Sequence, residues 1–196
     1  MNLDIVLSGV GGQGIIVLGD IFCEAAILDG FDAAKAEIHG MAQRGGSITA
    51  HIRIGDRVQS PLIERGKSDI IVGFEILETA RALPMLKDKG IVIMNMKYIP
   101  VTGLQEAANH ISLDEIMRAI RKKANRVYEV DATAIANNLG NILVANTVLL
   151  GALSAIHENP VRTESFEKAM TNRMKEKYVK INLKAFNAGR ECVLMG

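Results

Sequence analysis

A chain of 196 residues has room for one domain with a real hydrophobic core, so a single domain over residues 1–196 is the expectation. Its 23 basic and 22 acidic side chains leave a formal charge of +1, which removes the electrostatic case for nucleic acid or an anionic membrane as a partner. Two cysteines supply neither the four thiolates of an iron–sulfur cluster nor a disulfide framework, and they suit a reducing cytoplasm.

In chain order, Met1-Asn2-Leu3-Asp4 has no basic leader, so no signal peptide is expected, and residues 3–7 read as a first strand. Ser8-Gly9-Val10-Gly11-Gly12-Gln13-Gly14 then forms a glycine turn into a helix over 15–28. Asp29-Gly30-Phe31-Asp32 turns into a second strand at 33–38. Residues 48–54 alternate with period two, Gly55-Asp56-Arg57 turns, and 58–60 continue to Pro61; this spacing predicts a β-hairpin. Further strands are expected at 69–73, 90–95 and 126–130, separated by helices at 75–86 and 112–124. The last of these helices opens on Ser112-Leu113-Asp114-Glu115, a capping box.

Beyond Val130 the pattern is helical. Asp131 reads as an N-cap and Gly140 as a stop. Residues 141–156 form the most apolar window; Asn146 and its shortness make it a buried helix rather than a membrane span. Thr163 is expected to cap a helix reaching 177, and a last helix covers 181–192. Strands alternating with helices give the fold class: α/β, a three-layer Rossmann-like mostly parallel sheet with a β-hairpin excursion and a helical C-terminal layer.

Two segments carry chemistry. Gly9, Gly11 and Gly14 satisfy G-x-G-x-x-G, and a strand–turn–helix of this kind offers backbone N–H groups and a helix dipole to an anion. A dinucleotide site also needs an acid at the end of the second strand to hold the ribose. Asp29 and Asp32 fall in the turn before that strand, and Glu37 comes about eight residues later than the usual spacing of about 20. The second segment, Glu37-Ile38-His39-Gly40-Met41-Ala42-Gln43-Arg44-Gly45-Gly46, gathers a carboxylate, an imidazole, an amide and a guanidinium among three glycines. Arg44 there is suited to grip a phosphate or carboxylate with two N–H groups, or else to pair with Glu37.

Other signals are bland. His39, His51, His110 and His157 have no metal-ligand spacing, so no metal site is expected, and His51 reads as a half-exposed strand residue. Cys23 falls inside the first helix, where an inert buried thiol is the default. The run Arg118, Arg121, Lys122, Lys123 and Arg126 reads as a solvated helix face. A mean hydropathy of +0.17 fits either a partner-covered surface or a well-filled core.

The two loops, with Ser60-Pro61-Leu62-Ile63, Gly73-Phe74-Glu75, Asp131-Ala132 and the run from Asn146 to Leu153, resemble the gamma-type subunits of 2-oxoacid:ferredoxin oxidoreductases, and most of all the beta subunits of the indolepyruvate branch. Gly9-Val10 before Gly11, and His39-Gly40-Met41-Ala42-Gln43 before Arg44, carry the likeness to that branch. The resemblance implies a role in oxidative decarboxylation of a 2-oxoacid to an acyl-CoA, with electrons passed to ferredoxin. It implies that thiamine diphosphate and [4Fe-4S] clusters reside in a larger alpha subunit and that no cofactor is bound by this chain alone. Coenzyme A is then the co-substrate. Gly9, Gly11, Gly12, Gln13, Gly14, Glu37, His39, Arg44, Gly45 and Gly46 become candidates for a CoA contact or a pocket at the alpha-subunit interface, while no catalytic residue is assigned. A free-standing NAD(P)-binding oxidoreductase and a ligand-free interaction module are the alternatives from other classes.

Overall fold

The computed structural model describes residues 2–40, 46–99 and 112–195. Its six strands are β1 Asn2–Val10, β2 Asp32–His39, β3 Ser47–Gly55, β4 Ser68–Gly73, β5 Leu86–Asn95 and β6 Arg126–Val130. They form one sheet in the order β2-β3-β1-β4-β5-β6. β1, β4, β5 and β6 pair in parallel, whereas β3 runs antiparallel to both β1 and β2. One strand is thus reversed and five share a direction.

Side-chain alternation along the strands sets the layers. Ile5, Leu7, Ile70, Val72, Ile91 and Ile93 pack on one face with α1 (Ile15–Leu28), α4 (Ala132–Asn138), α5 (Ala145–Ala155), α6 (Thr163–Arg173) and α7 (Glu176–Leu194). Val6, Ile71, Val92 and Met94 face the opposite layer, built by α2 (Ile76–Ala82) and α3 (Leu113–Lys123). Phe22, Phe166 and Phe186 join α1, α6 and α7, with ring centroids 5.5 and 5.8 Å apart. α5 and α7 touch backbone to backbone: a Cβ on Gly151 would stand 1.9 Å from the Phe186 carbonyl oxygen. Among the described residues no helix is long and apolar enough to cross a membrane.

Several expected elements form as read. α1 has the expected bounds, Ser112 and Glu115 close their capping box, and the Asp131 side chain accepts from Ala134 N–H at 3.0 Å. Four details differ. The hairpin arms are β2 and β3, not β3 and residues 58–60, because β3 already has a neighbour on each edge and the Val58 N–H donates to the Asp32 carboxylate at 2.8 Å. The helix expected over 75–86 stops at Ala82: Pro84 follows in a 3-10 turn, and Leu86 opens β5. Thr163 is the first residue of α6 rather than its cap. The Asp29 carboxylate, from the end of α1, accepts there from Arg162 N–H at 2.6 Å and Ser165 Oγ at 2.5 Å. α6 then ends at Arg173, and α7 starts at Glu176, well before residue 181.

Candidate functional site

The parallel strands deliver their carboxyl ends to one edge, and strand order reverses between β1 and β4, where open α/β sheets form their ligand crevice. The glycine turn stands at this point. Gly9 is still within β1, opposite Ile48 of β3. Gln13 closes the loop: its Oε1 accepts from Val10 N–H at 2.7 Å, its own N–H donates to the Val10 carbonyl, and its Nε2 reaches the Phe74 carbonyl at 3.4 Å. Gly14 adopts φ +78° and starts α1, whose first turn has no side-chain cap.

The second loop meets the first. Gly11 N–H donates to the Gly46 carbonyl at 3.0 Å, so Gly11 and Gln13 spend their amides on structure, and the Gly12 and Gly14 amides find no acceptor among the described residues. Ser47 Oγ donates to Glu78 Oε2 at 2.5 Å, and Ser8 Oγ donates to the Glu78 carbonyl at 2.9 Å. Glu78 is buried and also takes Arg81. One turn earlier Glu75, likewise buried, caps α2 through Leu77 and Glu78 N–H and accepts from Ile99 N–H at 3.4 Å. Burial pushes the Glu75 carboxyl up against the pull of those backbone donors.

Glu37 and His39 lie elsewhere, on edge strand β2, two strands or about 10 Å from β1. Glu37 bonds Lys35 at 2.7 Å, Lys35 bonds Asp20 of α1 at 2.5 Å, and His39 Nε2 lies 3.2 Å from Glu37. The Lys35 hydrogen bond holds the Glu37 carboxyl below its usual range. Arg44 and Gly45, with residues 41–43 and His110, lie outside the described residues. The reversed β3 between β1 and β2 also removes the geometry of a dinucleotide site, in which the second strand lies beside the first and brings its acid to the ribose. Asp29 is taken by Arg162, and Asp32 by Val58.

On the α1 side of the sheet edge a crevice of about 710 Å³ opens between Gly12-Gln13-Gly14, Phe74, Asn95 and Thr133 on one wall and α5 and α7 on the other. Asn95 ties β5 to α4, donating to Thr133 Oγ1 at 2.9 Å and to the Phe74 carbonyl at 3.2 Å. Asn146 Nδ2 donates to the Gly14 carbonyl at 3.3 Å, and Thr147 Oγ1 links Asn146 to Asn182. These asparagines, with Glu78 and Ser47, are positions that sequence reasoning did not assign to the site. The one available signal was Asn146, an amide inside the most apolar stretch of the chain.

His51 is buried, not half-exposed: its Nδ1 accepts from Ile63 N–H at 3.0 Å, and burial pushes its pKa down. Cys23 is half-buried in α1, and burial pushes its thiol up to about 11. Among the described residues no three His, Cys, Asp or Glu side chains gather to hold a metal ion.

Against this geometry, the sequence profile of the family described as Pyruvate ferredoxin/flavodoxin oxidoreductase matches residues 4–192. The chain belongs to this family. It is 40% identical over 197 residues to the indolepyruvate oxidoreductase subunit IorB of Archaeoglobus fulgidus, covering all of this chain and 98% of that one. The IorB of Methanothermobacter thermautotrophicus is also 40% identical, over 96% of each chain. Among solved structures, the gamma subunit of a keto/oxoacid ferredoxin oxidoreductase from Geobacter sulfurreducens is 28% identical, with a TM-score of 0.74 over 99% of both chains. Each of these relatives is itself a subunit of an oxidoreductase.

Proposed function

We propose that this chain is the non-cluster subunit of a 2-oxoacid:ferredoxin oxidoreductase acting on indolepyruvate or another aryl pyruvate. The observation that carries this reading is the family match over residues 4–192. In the proposed reaction the 2-oxoacid is decarboxylated, its acyl group passes to CoA, and the electrons pass to ferredoxin. The donor set fits no iron–sulfur cluster in this chain: Cys23 is half-buried on α1 and Cys192 is exposed on α7. We therefore assign the clusters and thiamine diphosphate, which supplies the carbanion chemistry when bound, to a larger alpha subunit. The two free thiols suit a reducing cytoplasm.

This chain's own contribution is a shaped, hydrogen-bonded edge. Gly11 and Gly46 lock the paired loops together, and Gln13 fixes the turn against β4. The Gly12 and Gly14 amides, with Arg44 from the β2–β3 connection, are proposed to face the alpha subunit and receive the phosphates of CoA. Glu37 and His39 then belong to the rim of that surface, with no acid–base step assigned to either. The reconstituted complex carrying Arg44→Ala tests the contact: its apparent KM for CoA should rise about tenfold or more, the loss expected for a charge-assisted phosphate contact. An unchanged KM for CoA removes Arg44 from the site. Co-purification separates the classes: an iron-coloured complex with a larger chain is expected, whereas NAD(P)H binding by the isolated chain favours the free-standing oxidoreductase.

A further inference from the structure

We infer that the outer edge of β2 is a docking strand for a second copy of this chain, paired antiparallel about Ala36 so that two six-stranded sheets join into one. The sheet ends on β2 and β6. β6 has five residues, whereas β2 has eight, without proline and in unbroken register with β3. Gly40 N–H donates to the Ser47 carbonyl at 2.9 Å, which sets the phase of that ladder. Even-numbered residues of β2 therefore bond β3, and Ala33, Lys35, Glu37 and His39 turn their N–H and C=O groups outward. Those outward groups find no backbone partner among the described residues. Such an edge is a template for another strand unless it is blunted. Lys35 is the usual kind of guard, but its ammonium is folded back onto Asp20 and Glu37 at 2.5 and 2.7 Å.

Charge selects both the occupant and the register. A strand that bonds the outward groups must set odd-numbered residues opposite one another. Self-pairing centred on Lys35 or on Glu37 would put two lysines or two glutamates face to face. Centring on Ala36 instead sets Lys35 against Glu37 of the second copy, twice over, and Ala33 against His39. Opposite charges directly across a ladder favour pairing and like charges oppose it. On the other face the same centre puts Ala36 on Ala36 and Ala34 on Ile38, at the closely spaced positions where small side chains fit. Ile38, 49% exposed, and Ile27, 59% exposed in the groove between α1 and β2, flank the edge on opposite faces with apolar surface to cover. Two-fold pairing uses the same edge of each copy, so it closes on itself. The glycine turn, two strands away, takes no part, so this inference goes beyond the reading above and the two fail separately.

The full-length chain alone is read by sedimentation velocity over about 1–100 μM, where a dimer of twice 21.2 kDa is expected to form. Lys35→Glu and Glu37→Lys each place like charges across the axis, so each should dimerise at least about tenfold more weakly than the parent. Mixed in equal amounts, the two variants present opposite charges at both pairs, and a heterodimer within about threefold of the parent's affinity is expected. That recovery needs both variants folded, so it separates lost pairing from misfolding. Ala36→Cys leaves both charges in place and should form a disulfide between copies under mild oxidation, because Cα atoms at such a position stand about 4.5 Å apart. Peptide mass spectrometry locates the link at residue 36. A parent that stays monomeric, single variants that dimerise as tightly as the parent, a mixture that does not recover, or a dimer without the link at residue 36 would each overturn the inference. So would a parent dimer untouched by Lys35→Glu while binding of the larger subunit weakens, which would assign the edge to that subunit.

Discussion

Gly11 N–H donates to the Gly46 carbonyl at 3.0 Å, so the turn after β1 and the entry to β3 are one hydrogen-bonded unit. The next residue, Ser47, fastens that unit to buried Glu78 on α2. Ser47→Ala leaves a Glu78 carboxylate oxygen without its donor. A loss of about 1–3 kcal/mol is expected, the usual cost of a buried polar group deprived of its partner. The urea midpoint should fall with an unchanged m-value, and the Gly11 amide should exchange faster with solvent. An unaltered midpoint and exchange rate would mean that Glu78 does not hold the paired loops.

Gly14 is constrained twice, by φ +78° and by Asn146, whose Nδ2 would stand 2.5 Å from an added Cβ. Gly14→Ala should cost about 1–2 kcal/mol from the left-handed backbone, with a further loss from displacing Asn146. Adding Asn146→Ala removes the clash but not the backbone cost, so the double variant should lose less than the sum of the singles. Simple additivity in urea melts would show that the two residues do not compete for this space.

Asp29 ties the end of α1 to the start of α6. Burial alone would lift its carboxyl, but hydrogen bonds from Arg162 and Ser165 outweigh it and hold the group below its ordinary range. A folded pKa below the unfolded one gives stability that is full above the unfolded value, about 3.9, and is lost as pH falls through the folded value. Asp29→Asn should therefore be less stable than the parent at pH 7, and the gap should close as pH drops below about 4. A gap that stays constant to the acid limit would remove the ion pair as its source.

The two thiols should separate by reactivity. Burial pushes Cys23 up to about 11, while Cys192 is exposed on α7 with a smaller upward shift from the same cause. Thiolate is the reacting form, so at pH 8 iodoacetamide should label Cys192 well before Cys23. Peptide mass spectrometry of a time course reads the order. Equal rates would mean that α1 opens readily at Cys23.

Much of this was legible because period-two strands and capped helices are local properties. The α1 bounds, the Ser112–Glu115 box and the Asp131 cap needed only neighbours in sequence. What escaped depends on distant partners. Thr163 lost its capping role to Asp29, 134 positions away, and residues 58–60 lost their ladder because β2 had taken the outer edge of β3. The glycine motif signalled a turn at the sheet edge, but only the strand order shows that Glu37 stands two strands from it. Asn146 and Asn182 belong to helices that meet only in the folded layer.

His51 is the sharpest of these reversals, and its chemistry can be tested. In sequence it alternates with Ile52 and Ile54 as an exposed strand residue would; in the fold it is buried, with Nδ1 accepting from Ile63 N–H at 3.0 Å. That bond requires an unprotonated Nδ1, and burial lowers the pKa although Asp4 opposes it. A histidine with a depressed folded pKa contributes stability above its unfolded value, about 6.5, and loses it as pH falls through the folded value. His51→Phe cannot take a proton and leaves the Ile63 amide unpaired, so at pH 8 it should be less stable by about 1–3 kcal/mol. Because only the parent pays the acid penalty, the gap should narrow as pH falls toward 5. In the parent, NMR titration of the imidazole should give a midpoint below 6.5. A midpoint at or above that value, with a pH-independent gap, would show that the ring is charged in the fold and that the Ile63 contact is not a hydrogen bond to Nδ1.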